Sequence, residues 1–193
     1  MHPILIELQR LKRLERTGWM LRGLPLGTES VAAHSFGVAV TAMVVADELM
    51  SRGVSLDIEK LLRMALLHDW AEARVGDMPR TGTQYFGTTA RREAETTAFG
   101  DMVRGLGTAE SLYRELYDDY EQRNSPEAQL VKAADVIDLL VQVLALERAG
   151  AQGLDEFWEV AEERELELSG VAREVVDGVL DSLVKARKDI RHF

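Results

Sequence analysis

The chain contains no cysteine, and this absence excludes several kinds of site at once. Without thiols there is no disulfide, no thiolate zinc site and no cysteine nucleophile. Such a composition suits a reducing compartment, so we expect a cytoplasmic protein. Any metal site has to draw on imidazole and carboxylate groups, and histidine is itself scarce, with four in 193 residues.

Positive charge is also in short supply. Lysine and arginine together number 23, against 33 aspartate and glutamate residues, which gives a formal net charge of -10. A protein that binds a nucleic-acid backbone needs a basic face, so we expect no nucleic-acid partner. A small anionic substrate is compatible with this composition, because a metal ion or a few arginines can supply local positive charge.

Long hydrophobic runs are missing as well. The most apolar run, 38–45, is too short to cross a bilayer and is soon followed by Asp47 and Glu48. The first residues, 1–4, lack the charged and apolar regions of a signal peptide. We therefore expect neither a membrane association nor a secretory leader. The hydrophobic fraction of 46% is enough for the core of one domain, which we place at 1–193.

No stretch alternates apolar and polar residues for long enough to indicate a strand, and there is no internal repeat. Apolar residues recur instead at helical spacing. Helices are predicted at about 3–16, 30–52, 57 to beyond the His68 region, 89–106, 109–123, 126–149, 154–168 and 171–190. Loops are predicted at 19–29 and 80–88. The predicted fold class is all-α, in a single domain.

A histidine, an aspartate and a glutamate lie close together in the predicted third helix. They are His68, Asp69 and Glu72. On a helix, residues three and four apart share a face, so Glu72 would lie beside both of the others. This cluster could hold a divalent metal and keep one acid/base group next to it. It could also be an ordinary polar helix end.

Two further residues could complete a metal site. His34 lies in the first turns of a helix that is apolar nearly all round, and Asp135 falls within the apolar stripe of 126–149. A carboxylate in such a stripe is costly unless it is paired or bound to a metal. Two imidazoles and two carboxylates suit Mn²⁺, Fe²⁺, Co²⁺, Ni²⁺ or Zn²⁺ and leave room for water and a substrate oxygen. A single histidine on an apolar helix is, however, more often a hydrogen-bonded core residue.

Trp19 lies in a predicted loop between Arg16 and Arg22. This group could grip a planar, anionic ligand, or the tryptophan could close the edge of the core between two solvated arginines. Asp77 follows on a loop bounded by glycine and proline. It could fold back to the site or simply form a turn, which is the commonest use of such an aspartate.

The order of His34, His68-Asp69 and Asp135 resembles the H…HD…D pattern of the HD-domain metal-dependent phosphohydrolases. Four blocks narrow the resemblance to the HD-domain 5′-deoxynucleotidases. They are Arg16-Thr17-Gly18-Trp19-Met20-Leu21-Arg22, Glu29-Ser30-Val31-Ala32-Ala33-His34-Ser35, Met64-Ala65-Leu66-Leu67-His68-Asp69-Trp70-Ala71-Glu72-Ala73 and Val75-Gly76-Asp77-Met78-Pro79. The resemblance covers about 5–150, and 151–193 would complete a single HD-domain helical bundle.

The resemblance implies a site, an activity and an assembly. The implied metal ligands are His34, His68, Asp69 and Asp135. Glu72 would be the acid/base residue, assisted by Asp77. Phosphate and sugar would be held by Arg16, Trp19 and Arg22. One divalent ion (Mn, Co, Fe, Ni, Zn or Mg) would serve the hydrolysis of deoxyribonucleoside 5′-monophosphates to deoxynucleoside and phosphate, in a homodimer.

Related activities can be weighed on single residues. Alarmone hydrolases that resemble this fold carry a second acid after the glutamate, where this chain has Ala73. Two-metal HD phosphodiesterases and HD di-iron oxygenases need further histidines, and none lies between His68 and His192. The chain departs from the relatives at Ala33, where they usually carry an acidic residue, and at Trp70, which replaces a smaller residue. Its blocks are closer to the Arg-Thr-Gly-Trp branch of the family than to the bacterial Arg-Trp-Pro branch, which leaves open the substrate range and which arginine contacts phosphate.

Two alternatives of other kinds are an HD module that binds nucleotides without catalysis and a helical bundle with coincidental polar residues. The first predicts loss of a ligand or of Glu72, and both are present. The second conflicts with four blocks in order. An HD-domain phosphohydrolase acting on another nucleotide or phosphorylated small molecule is the remaining alternative.

Overall fold

The computed structural model describes residues 2–163 and 166–191, and most of them are helical. The α-helices are α1 (His2–Glu7), α2 (Thr17–Met20), α3 (Val31–Ser51), α4 (Ile58–Leu67), α5 (Glu72–Val75), α6 (Arg80–Phe86), α7 (Thr88–Val103), α8 (Ala109–Gln122), α9 (Pro126–Arg148), α10 (Asp155–Glu163) and α11 (Gly170–Arg191). A 3-10 helix, Leu8–Lys12, follows α1. Within these residues there is no strand beyond one isolated bridge, so the all-α prediction is confirmed.

Capping residues set the starts of α4 and α9, as their sequences indicate. Asp57 Oδ1 accepts a hydrogen bond from the Lys60 amide at 3.0 Å. Ser125 Oγ accepts one from the Ala128 amide at 3.2 Å, with proline at the first helical position. Each bond satisfies an amide that has no partner within the helix, which fixes where the helix begins.

The predicted helix at 3–16 was wrong over its last residues, 13–16. The regular helix ends at Lys12, because the chain from Leu14 to Arg16 pairs instead with the segment that leads into α3. The Val31 amide donates to the Leu14 carbonyl at 2.8 Å, and the Arg16 amide donates to the Glu29 carbonyl at 3.0 Å. Gly18 lies inside the short α2.

The predicted loop at 80–88 was also wrong, since it contains α6. Pro79 precedes this helix, and its carbonyl accepts a hydrogen bond from the Thr83 amide at 3.1 Å. The fixed φ of proline suits a helix start. The side chains of Tyr85 and Phe86 are largely exposed.

The chain divides into two compact units, each described by itself. The first, called the site unit, comprises Met1–Ser35 and Leu67–Asp118. Its core contains aromatic rings from the turn after α4 and from α7 and α8. The rings of Phe99 and Tyr117 stack at 4.0 Å, and those of Trp70 and Tyr113 lie 5.5 Å apart.

The second unit comprises Phe36–Leu66 and Asp119–Phe193. Within it α9 packs against α10 and α11. Arg187 ties these helices together, because its guanidinium reaches Glu147 at 3.0 Å and Asp155 at 2.7 Å. Gly37 of α3 lies against the Asp138 carboxylate, so a side chain there would overlap with it. The prediction of one domain over 1–193 stays a prediction.

Among the described residues, one helix is long and apolar enough to cross a membrane by length and composition. It is α3, and 44% of its most apolar window is buried inside the protein. The central helix of a protein without membrane contact passes the same test. The expected lack of membrane association therefore stays a prediction.

Candidate metal centre and active site

Two buried histidines face each other in the site unit. His34 comes from the first turn of α3 and is 1% exposed, and His68 follows the last residue of α4 and is 4% exposed. Their ring centroids are 5.5 Å apart, with 66° between the ring planes. The structure thus brings together the two internal histidines that the sequence singled out.

Asp69 joins the two imidazoles through a single oxygen. Its Oδ2 lies 3.2 Å from His68 Nε2 and 3.8 Å from His34 Nε2. Two imidazole nitrogens and a carboxylate oxygen therefore converge, and this donor set is the one that a borderline divalent cation prefers. The three residues fit a metal ion of the kind that the sequence predicts.

The local backbone differs from the prediction. His68, Asp69 and Glu72 do not share one helix, because α4 ends at Leu67 and α5 begins at Glu72. Residues 68–71 form tight turns, in which the Glu72 amide donates to the Asp69 carbonyl at 3.1 Å. The helical prediction was therefore wrong here. The apolar pattern continues through the break and conceals it.

Charge surrounds the Asp69 carboxylate. Burial by itself would raise its pKa, but the two histidines and the Arg16 guanidinium outweigh burial and lower the pKa below its ordinary value. Arg16 Nη1 lies 3.4 Å from Asp69 Oδ2. Asp69 is therefore held in the ionised form that a metal ligand requires.

Glu72 is in the opposite electrostatic situation. Its side chain is 4% exposed, and its Oε2 has no hydrogen-bond partner among the described residues. Burial, followed by the negative charges of Asp69 and Asp77, raises the pKa of the Glu72 carboxyl well above its usual value. A buried carboxyl beside a metal-ligand cluster, yet without a fixed partner for one oxygen, is suited to proton transfer.

Asp77 does fold back toward this cluster, as one of the two interpretations predicted. Its carboxylate accepts a hydrogen bond from the Thr17 amide, and its carbonyl accepts one from Thr17 Oγ1 at 2.7 Å. Its Oδ1 also lies 3.8 Å from Arg16 Nη1. Asp77 therefore holds the start of α2 and helps to aim Arg16 at the site.

The remaining residues of the Arg/Trp block lie differently. Trp19 is 2% exposed and donates its indole N–H to Glu29 Oε2 at 2.7 Å, which favours the core interpretation. Arg22 donates to the Gly18 carbonyl at 3.3 Å. Arg16 lies close to the carboxylates of Asp69 and Asp77. The substrate-binding roles of Trp19 and Arg22 stay predictions.

Asp135 belongs to the second unit. It lies on α9, half-buried, with its Oδ2 2.7 Å from Lys132 Nζ. This ion pair provides one of the two ways in which a carboxylate in an apolar stripe can be stabilised. Its role as the fourth metal ligand stays a prediction.

The sequence did not single out Arg91. It lies on α7 and pairs through Nε with Glu95 Oε1 at 2.7 Å. Burial lowers its pKa, but Glu95 and the negative charges of Glu72 and Asp69 outweigh burial and hold the pKa above its usual value. The only sequence signal is an arginine four residues before a glutamate, which is common on exposed helix faces.

Comparisons with known proteins identify a family and several similar proteins. A family model described as "HD domain" matches residues 8–169. The human protein named 5′-deoxynucleotidase HDDC2 is 34% identical over 133 residues, which cover 69% of this chain and 61% of that protein. The yeast protein named 5′-deoxynucleotidase YGK1 (Saccharomyces cerevisiae) is 32% identical, covering 78% of this chain and 69% of that protein. The chain thus spans about six tenths of the length of the vertebrate relatives.

Solved structures are similar over nearly the whole chain. The PH0347 protein from Pyrococcus horikoshii OT3 is 38% identical with a TM-score of 0.81, covering 96% of this chain and 99% of that one. A conserved hypothetical protein from Pyrococcus furiosus is 34% identical with a TM-score of 0.82, over the same shares. These similarities extend beyond the segment of 5–150 on which the sequence motifs lie.

Proposed function

Since this chain belongs to the HD-domain family, we propose that it is a metal-dependent 5′-deoxynucleotidase. Its substrates would be deoxyribonucleoside 5′-monophosphates, and its products a deoxynucleoside and phosphate. The observation that supports this most strongly is the convergence of two buried imidazoles on the Asp69 carboxylate, next to a buried Glu72. The relatives named as 5′-deoxynucleotidases support the same activity.

We also propose a cytoplasmic location, which the lack of cysteine supports.

In this proposal, His34, His68 and Asp69 hold the divalent ion, with Asp135 as the fourth ligand. The family implies such an ion, and we propose Mn, Co, Fe, Ni, Zn or Mg. When bound, it would polarise a phosphate oxygen and lower the pKa of a water molecule.

The protein's own groups would manage charge and protons. Arg16, held by Asp69 and Asp77, would neutralise one phosphate oxygen. Water would attack phosphorus as the bond to the 5′ oxygen breaks. Glu72 would carry the proton from the water to that leaving oxygen, with Asp77 assisting by holding Arg16 in place.

A phosphate-release screen tests this proposal. The metal-loaded protein is incubated with dAMP, dTMP, AMP, a deoxynucleoside 3′-monophosphate and a sugar phosphate. We expect release from the two deoxynucleoside 5′-monophosphates and its loss after chelation. Release from the sugar phosphate alone would favour the alternative of another phosphorylated small molecule. Binding of dAMP without release by metal-loaded protein would favour a non-catalytic nucleotide-binding module. Either result would contradict the proposed activity.

We also propose that the protein is a homodimer joined through α3. Large apolar side chains on one face of this helix are 38% to 69% exposed. They are Phe36, Val40, Met43, Val44 and Met50. The stripe is about 20 Å long at 1.5 Å per residue, so it could form the centre of an interface of about 800 Å² per partner. Asp47 and Glu48 beside it, and the net charge of -10, disfavour an anionic membrane as the occupant.

We expect the wild-type protein to have twice the 21.6 kDa mass of one chain in light scattering. Val44→Asp should convert it to a monomer, because a charge would be buried in the interface. Leu26→Asp, at a loop residue that is 79% exposed, is the matched control and should leave the mass unchanged. A monomeric wild-type protein, or one that binds anionic vesicles through Val44, would contradict this interface.

A further inference from the structure

Arg91 forms an ion pair with Glu95 through its Nε nitrogen. It lies in the first turn of α7, and its side chain is 34% exposed. Glu95, one turn later, is itself buried and accepts the Arg91 Nε–H at 2.7 Å. No hydrogen bond is recorded for the two Nη nitrogens of Arg91 within the part of the chain that the structure describes. The pair therefore fixes the stem and leaves the end of the guanidinium able to bind another group.

The helix that carries Arg91 packs beside a helix of the candidate site. Within the site unit, α5 packs against α7, and Glu72 is the first residue of α5. The positive charge of Arg91 interacts with the negative charges of Glu72 and Asp69. Its neighbour Arg92 is exposed. Arg91 is part-buried, so the two arginines differ in burial although the residue type is the same.

The site needs more positive charge than Arg16 supplies. The phosphate of a nucleoside 5′-monophosphate carries up to two negative charges, and Asp69 and Asp77 add one each. A divalent ion and Arg16 would supply only three positive charges against these four. Arg16 is already engaged with both of these carboxylates. A guanidinium with two free N–H directions matches the geometry of two phosphate oxygens. A lysine would offer only a point charge.

We propose that Arg91 is a phosphate-binding residue of this site, which acts with Arg16 and is oriented by Glu95. This inference rests on the proposed nucleotidase function. Arg91 binds the phosphate of the substrate, and Glu95 is a positioning residue that holds the guanidinium through Nε. Removing the Arg91 guanidinium should therefore weaken the binding of phosphorylated ligands and leave the binding of ligands without phosphate unchanged.

The test compares Arg91→Gln with Arg92→Gln in the full-length, metal-loaded protein. Arg91→Gln should weaken binding of dAMP about 10- to 100-fold, because charge-assisted hydrogen bonds are lost. KM should rise with it. Binding of deoxyadenosine, which has no phosphate, should be unchanged. The dAMP affinity of Arg92→Gln should stay within about twofold of wild type. Glu95→Gln should weaken dAMP binding less than Arg91→Gln does. In a protein that already carries Arg91→Gln, the Glu95→Gln change should have no further effect.

Three results would overturn the proposal, and each differs from failure of the nucleotidase function. Arg91→Gln could match Arg92→Gln in dAMP affinity while wild type releases phosphate normally. It could weaken deoxyadenosine and dAMP equally, which would indicate a structural role. Arg91→Lys could restore full affinity, which would exclude bidentate binding. If wild type hydrolyses no nucleotide, the proposed function fails, and inorganic phosphate as the probe still measures the Arg91 contact.

Discussion

Glu72→Gln is expected to lower kcat for nucleotide hydrolysis by about 100- to 10 000-fold, which is the usual contribution of a general acid or base. The amide cannot carry a proton between water and the leaving oxygen. Metal content should stay at the wild-type level, because Glu72 is not among the proposed ligands. The measurement combines steady-state kinetics on dAMP with metal analysis of the same sample.

Stability separates this role from a structural one. Glu72 is buried and its Oε2 has no partner within the described part of the chain, so an amide of the same shape removes a desolvation cost. The melting temperature of Glu72→Gln should therefore equal or exceed that of wild type. Glu127→Gln, at a buried carboxylate in the second unit that accepts from the Asp57 amide at 2.9 Å, is the matched control and should keep full activity. Normal kcat in Glu72→Gln would refute the assigned role.

The long helices could be predicted because their signals are redundant. In α9, a capping serine, a proline at the first position and six turns of apolar residues all favour the same bounds. The short helices α2, α5 and α6 have four to seven residues, which is too few for periodicity to emerge. Their bounds depend on contacts distant in sequence, such as the pairing of Glu15 with Ser30.

The candidate metal residues could be predicted for a chemical reason. With no cysteine and four histidines, few side chains can bind a borderline cation, so His34 and His68 were conspicuous. The turn at 68–71 could not be predicted, because Trp70 and Ala71 continue the apolar pattern of α4. The sequence therefore indicated residues that the structure brings together, His34, His68 and Asp69, but placed the last two on the wrong backbone.

Which arginine lies near the site carboxylates depends on contacts between segments that are distant in the sequence. Arg16, Arg22, Arg91 and Arg92 are chemically equal in the sequence. Arg16 is selected because Asp77 folds back onto Thr17. Arg91 is brought near the charges of Glu72 and Asp69 because α5 packs on α7. Both causes join segments separated along the chain, and no local pattern encodes them.

The second large effect concerns His34, for which the sequence left a core histidine and a metal ligand open. His34→Ala should reduce bound metal to a small fraction of the wild-type content and lower activity by about 100-fold or more, because an imidazole ligand is lost. Added Mn²⁺ should raise the melting temperature of wild type, since a ligand that binds only the folded state stabilises it by about 2.7 kcal/mol at 100 times Kd. The same addition should leave the melting temperature of His34→Ala unchanged.

Ser35→Ala is the matched control for this experiment. Ser35 is the next residue of α3, is also buried, and donates its hydroxyl to the Val31 carbonyl at 2.9 Å. Its removal costs stability without removing a ligand, so metal content, activity and the Mn²⁺-dependent stabilisation should persist. A core role for His34 predicts a different outcome, in which both variants melt earlier and both still respond to Mn²⁺. The dependence of the melting temperature on metal, rather than its absolute value, therefore decides whether His34 is a ligand.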